Sequence, residues 1–288
     1  PLVRKKGLIR DNFAIWVKLC KDRFDKTKSN EQELNSLFIN DYGLVDEIDV
    51  DIKDSEITLS LANKNTDIRS LVSYAVGCMF GRYSFDDEGI AYAGGKWNDS
   101  RYKTFLPDYD NCIPITDEEY FSDDIVSRFV EFVKTVYGAD TLEENLDFIA
   151  NALGNKGDTS REVIRNYFLK DFYADHLKVY QKRPIYWLFD SGKQNGFKAL
   201  IYMHRYDADT VGCVRTDYLH RAQKYVETAM QSAQYTIDNA SSASEKSKAT
   251  KAVTKYTKQL AEMKVYDEAI AHIANQRIEI DLDDGVKV

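Results

Sequence analysis

The chain has 288 residues, 43% hydrophobic and 30% charged, the profile of a soluble globular protein long enough for one large domain or two ordinary ones. Nothing approaches the roughly 18 uninterrupted apolar residues of a membrane span, and the opening "PLVRKKGLIRDNF" lacks the apolar core of a signal peptide, so a cytoplasmic setting is expected. A formal net charge of -8 argues against a general polyanion binder, but positive charge is concentrated: 84–150 holds 5 basic against 16 acidic residues, and 156–224 holds 13 against 8.

Along the chain, "NEQELNSLFINDYGL" (30–44) predicts a helix, with Leu34, Leu37, Phe38 and Tyr42 at helical spacing and Gly43 just past its end. "DEIDVDIKDSEITLSLA" alternates like extended chain. "TDIRSLVSYAVGCMF" puts Ile68, Leu71, Val72, Ala75 and Met79 on one helical face, and Gly81 suits the left-handed stop. From Arg82 to Phe121 glycine, aspartate, proline and aromatics predict loops and short strands. Helices resume at "SDDIVSRFVEFVKTVYG", with Gly138 as a stop. Capping-box spacing then opens two more, at Thr141/Glu144 and Thr159/Glu162.

"KRPIYWLFDSGKQNGFKALIYMHRYD" (182–207) predicts a β-hairpin around a polar loop holding Gly192 and Gly196. Two long helices follow, their apolar residues stepping by three and four from Leu219 to Ile237 and from Val253 to Ile273, and the small polar joint "NASSASEKSK" makes them an antiparallel hairpin. The chain begins with Pro1 and ends in "RIEIDLDDGVKV", a strand, a turn and the start of a second strand, which suggests a piece of a longer protein. The expected fold is mixed α/β, predominantly α-helical: a helical core, a β-hairpin or small sheet, and a long antiparallel helical hairpin.

Several catalytic signals fail on spacing. Cys20, Cys78, Cys112 and Cys213 lack a paired spacing and read as free thiols; His176, His204, His220 and His272 form no metal pair. "DVDIKDSE" puts Lys53 at a calcium-ligand position and Asp54 where glycine is required. "DSGK" (190–193) lacks the first glycine of a phosphate loop and precedes a strand, and the "EMK" at 262–264 lies mid-helix. No metal, catalytic or cofactor-binding residue is assigned.

What remains is cations interleaved with aromatics around the hairpin: Lys182, Arg183, Tyr186, Trp187, Lys193, Lys198, His204, Arg205, Tyr206 and Arg215. Lysine and arginine bind phosphate oxygens while aromatic rings stack on bases, so the mixture suits nucleic acid. The competing reading makes the apolar members core and the lysines guards of strand edges.

The phrases "NEQELNSLFINDYGLVDEI", "SLVSYAVGCMFGRYSFDDEGIAYAG", "SREVIRNYFLKDFYADHLKVYQKRPIYWLFDSGKQNGFKALIYMHRY" and "RTDYLH" closely resemble the C-terminal half of the adenine-specific DNA methyltransferases of bacterial phage-exclusion (BREX) systems, the PglX type, and more distantly single-chain restriction-modification enzymes. The resemblance runs from about Asn30 onward. It implies a parent enzyme that transfers a methyl group from S-adenosylmethionine to N6 of adenine in double-stranded DNA, with the base flipped out. The family's glycine-containing cofactor motif and its Asn/Asp-Pro-Pro-Tyr/Phe motif are both missing here: Pro1, Pro107, Pro114 and Pro184 are never adjacent.

The implied organisation is a helical connector over 1–83, a target-recognition portion over 84–215 and a helical-hairpin spacer over 216–288. Arg82, Tyr83, Lys182, Arg183, Lys193, Lys198, Arg205, Tyr206 and Arg215 become the DNA-contact candidates. The alternative is a docking module in which the long hairpin near 217–275 binds other phage-defence subunits and never meets DNA.

Overall fold

The computed structural model describes residues 6–45, 47–154 and 156–281. The helix expected over 30–44 is the end of a much longer one, α1 (Ile9–Asp41), which buries Ile9, Cys20, Phe24 and Ile39 while Leu34, Leu37 and Phe38 stand exposed. Gly43 follows at φ +69°. Among the described residues the alternating stretch after it forms no ladder. It holds one 3₁₀ turn, Asp54–Glu56, on either side of which Ile52 and Ile57 pack with Phe24.

Helix α2 (Lys64–Met79) begins at Asn63, whose side chain accepts the Thr66 amide, and ends at Gly81 with φ +78°. Between Arg82 and Phe121 the chain is mostly loop, with a 3₁₀ turn at Asp99–Arg101 and the short strand β1 (Ile113–Pro114). Helices α3 (Ile125–Tyr137) and α4 (Leu142–Leu153) follow. The expected Thr141/Glu144 capping box does not form, because the Thr141 hydroxyl lies against the carbonyls of Gly7, at 3.3 Å, and Tyr137, at 3.2 Å. The Thr159/Glu162 box does form and opens α5 (Ser160–Lys170), which passes through Asp171 into α6 (Phe172–Val179).

The expected hairpin is β2 (Tyr186–Asp190) and β3 (Lys198–Tyr202), and β1 adds to it in the order β1-β3-β2, all antiparallel. Tyr186 pairs with Tyr202, Leu188 with Leu200, and Ile113 with Leu200 on the other side. A short helix, α7 (Thr210–Cys213), and a π-helical segment (Val214–Leu219) lead into α8 (His220–Asn239), which folds back along α9 (Ala243–Gln276). At 34 residues α9 is about 50 Å long. Residues 278–281 are not in a strand, and the remainder of the expected terminal turn and strand lies outside the described residues.

Because successive strand side chains point to opposite faces, the sheet is a wall between two cores. Tyr186, Leu200 and Tyr202 face a core built on α2 to α6, whereas Phe197, Ala199 and Ile201 face one built on α7, the π segment, α8 and α9. All four cysteines are free thiols, and all but Cys213 are buried. No helix among the described residues is long and apolar enough to cross a membrane.

Candidate nucleic-acid interface

The nine sequence candidates divide into residues engaged inside the protein and residues presented outward. Lys198 is engaged: its ammonium lies 3.1 Å from Asp190 and donates to the Leu169 carbonyl. The guanidinium of Arg205 donates to the carbonyls of Asp108 and Tyr109 and lies 4.5 Å over the Trp97 ring, so it pins the long 82–121 loop. Burial lowers its pKa. Arg215 pairs with Asp267 at 2.7 Å, tying the π segment to α9, and the Tyr206 hydroxyl donates to the Ile278 carbonyl while its ring packs on Trp187.

Arg82 and Tyr83 sit just past the α2 stop. Arg82 donates to the hydroxyls of Tyr83, at 3.3 Å, and Tyr202, at 3.2 Å, and Tyr83 stacks on Tyr74 at 5.1 Å. Lys182, Arg183 and Lys193 are exposed, and their side chains make no ion pair or hydrogen bond with any described residue. Lys182 and Arg183 precede β2 and Lys193 follows it, so the two groups stand at opposite ends of the strand.

The segment carrying Lys182 and Arg183 has an electrostatic pattern that the candidate set missed. Lys170 ends α5 and Lys178 lies in α6, so 170–183 carries four cations, none of them ion-paired among the described residues. Its two acids, Asp171 and Asp175, are neutralised from outside by Lys156, at 3.8 Å, and Arg69, at 2.7 Å. The surface of α6 is therefore more positive than its sequence count. The signal was present in "KDFYADHLKVYQKR", but the pairing of its acids is a long-range fact, with Arg69 lying 106 residues from Asp175.

Between α2 and α6 opens a cleft of about 560 Å³, within the ~300–1,000 Å³ range of small-ligand sites. Tyr74, Tyr83, Tyr180 and Tyr186 line it, together with Lys178 and the Arg69–Asp175 pair, which ties α2 to α6. Asp175 also accepts from the Tyr167 hydroxyl at 2.8 Å. His176, 4% exposed, accepts at Nε2 from the amides of Ile185 and Tyr186, both at 3.2 Å. Accepting there puts the imidazole proton on Nδ1, and burial lowers the pKa to about 4, so the ring is neutral at pH 7.

The proteins this chain is similar to are adenine-specific methyltransferases. It is 49% identical over 279 residues to the adenine-specific methyltransferase PglX of Lacticaseibacillus casei (strain Zhang), covering 96% of this chain. It is 41% identical over 239 residues, or 78% of its length, to the adenine-specific methyltransferase BrxX of Escherichia coli O9:H4 (strain HS). The chain spans only 23% and 20% of the lengths of these curated relatives. No family model matches it.

Proposed function

We propose that this chain is a non-catalytic, C-terminal portion of an S-adenosylmethionine-dependent adenine-N6 DNA methyltransferase of a phage-defence system, and that it holds DNA on the surface formed by α6 and the turn after it. The observation that carries this reading is the set Lys170, Lys178, Lys182 and Arg183, four cations left without an acidic partner while the acids between them are neutralised from elsewhere. Such cations bind phosphate oxygens and release counterions, which supplies affinity without sequence choice. Tyr83 lines the neighbouring cleft and Arg82 holds its hydroxyl, so the pair stands beside a site that a base or sugar would enter. Lys198, Arg205, Tyr206 and Arg215 act in this reading as supports that fix the surface and do not touch DNA.

The test is fluorescence-anisotropy binding of a mixed-sequence duplex at rising salt, beside a Lys182→Ala/Arg183→Ala double variant. The expected result is salt-sensitive binding, weakened in the variant by about one power of ten, with a logarithmic salt slope shallower by about 2. Binding that is indifferent to salt and to the variant would instead favour the protein-docking role of the α8–α9 hairpin.

A further inference from the structure

The cleft between α2 and α6 has features that phosphate binding does not use. Its walls are aromatic: Tyr74 and Tyr83 stack on each other at 5.1 Å, and on the α6 side Tyr180 covers the His176 ring at 4.6 Å. Two buried N–H groups among its lining residues, Nδ1 of His176 and Nε of Arg69, have no hydrogen-bond partner among the described residues. An unpaired buried donor is costly, and both here are donors, so the missing partner is an acceptor.

The rim is cationic. Lys178 lines the cleft, and the chain leaves Tyr180 through two consecutive non-glycine residues at positive φ, Gln181 at +51° and Lys182 at +64°. This conformation is disfavoured for side chains with a Cβ and is held by the Lys182 amide, which donates to the Leu177 carbonyl at 2.7 Å. It sets Lys182 and Arg183 directly after the aromatic wall. Rings for stacking, buried unpaired donors on two lining residues and a cationic lip suit a planar heteroaromatic ring carrying acceptors and joined to a phosphate.

We infer that the α2–α6 cleft binds a single unpaired nucleotide, its base seated among Tyr74, Tyr83 and Tyr180 with an acceptor edge toward His176 and Arg69, and its phosphate at Lys178, Lys182 and Arg183. The inference rests on the DNA reading only for the nucleotide's source, an extrahelical position in a duplex. The cleft binds the nucleotide itself, and this is measured separately.

The experiment has two arms. In the first, the chain is titrated with 2′-deoxynucleoside 5′-monophosphates while the NMR signals of His176 and the tyrosine rings are followed. The expected outcome is saturable shifts of His176 and Tyr180, abolished by Ser70→Trp, which fills the cleft from an exposed position on α2, and weakened by Tyr180→Ala. Unchanged thermal melting of Ser70→Trp verifies its fold. No saturable shift in the wild-type chain, or shifts that persist in Ser70→Trp, overturns the proposal. In the second arm, a duplex with a single-nucleotide bulge is compared with its fully paired parent. The expected outcome is binding of the bulged duplex about tenfold tighter, an advantage lost in Ser70→Trp while the paired duplex binds as before. Equal affinity for the two duplexes overturns the extrahelical source. Absence of binding to either duplex, with nucleotide shifts intact, overturns the DNA-holding reading and leaves the cleft assigned.

Discussion

Tyr218 has one hydroxyl hydrogen and two carboxylate neighbours, Asp110 at 2.8 Å and Asp123 at 2.7 Å. Beside them Asp108, only 6% exposed, has its pKa pushed up to about 8, by burial first and then by Asp110. A carboxyl that holds its proton more tightly when folded stabilises fully below its unfolded pKa near 3.8, and that stability is lost as pH rises through about 8. His176 acts in the opposite sense, because its lowered pKa contributes stability above about 6.5 that is lost as pH falls toward 4. Between pH 6.5 and 8 the Asp108 effect is therefore not offset by His176. Urea unfolding should show the chain losing stability across that window, and Asp108→Asn, which keeps an acceptor for the Cys112 amide, should flatten the dependence.

A second residue-scale prediction concerns Asp124, fully buried and paired in parallel with Arg165 at 2.8 and 2.9 Å. Arg165→Leu leaves that carboxylate without its counter-charge and should cost about 3–5 kcal/mol in a denaturant titration. At this scale local chemistry was legible in the sequence: Gly81 and Gly138 stop helices at positive φ, and Thr159 caps one. What was not legible is which cations are already engaged. Arg205 and Arg215 look like Lys182 in a sequence, and their partners lie 97 and 52 residues away.

Glu262, the acid of the mid-helix "EMK", fastens the β2–β3 loop to α9. It accepts from the Ser191 hydroxyl at 2.9 Å and from the amides of Gln194, at 2.7 Å, and Gly196, at 3.3 Å. The loop comes so close that a Cβ on Gly192 would lie 2.7 Å from the Glu262 carboxylate, and one on Gly196 3.0 Å from the Gln259 carbonyl. Glu262→Ala should destabilise the chain by about 1–3 kcal/mol, with faster hydrogen exchange at Gln194 and Gly196 as the specific signature. The hairpin glycines were thus visible from sequence as turn residues, whereas the close approach of α9 to both of them was not. α1 was half legible for a different reason: exposed Ile15, Val17 and Leu19 interrupt the inward stripe of Ile9, Phe13, Trp16, Cys20 and Phe24, so the sequence of its first half shows no clean division into apolar and polar faces. The alternation after α1 is extended at Lys53 and Ile57 without becoming a strand, because a strand needs a partner and none pairs with it among the described residues.

Across the whole molecule, the central strand β3 divides its side chains between the two cores, so neither core is complete without the other. Ile201→Ala, a truncation on the α8–α9 side, should cost about 2–5 kcal/mol. It should also raise hydrogen exchange in α3 and α8 together, whereas independent cores would confine the change to α8 and α9. Far-UV circular dichroism and tryptophan fluorescence should then report one shared unfolding transition. The mixed, mainly helical fold was readable because hairpin and helices each carry their own period. That one sheet serves two cores was readable only in the alternation of Ala199 to Tyr202, which looks uniformly apolar until each face is given its own neighbour.

This two-sided wall limits how the chain can be subdivided. Cutting after residue 215, where the helical-hairpin spacer is expected to begin, would strip α8 and α9 from Phe197, Ala199 and Ile201 and leave an apolar sheet face in water. A shortened product of that kind would be prone to aggregate, so a recognition unit transplanted into another protein has to carry its spacer with it.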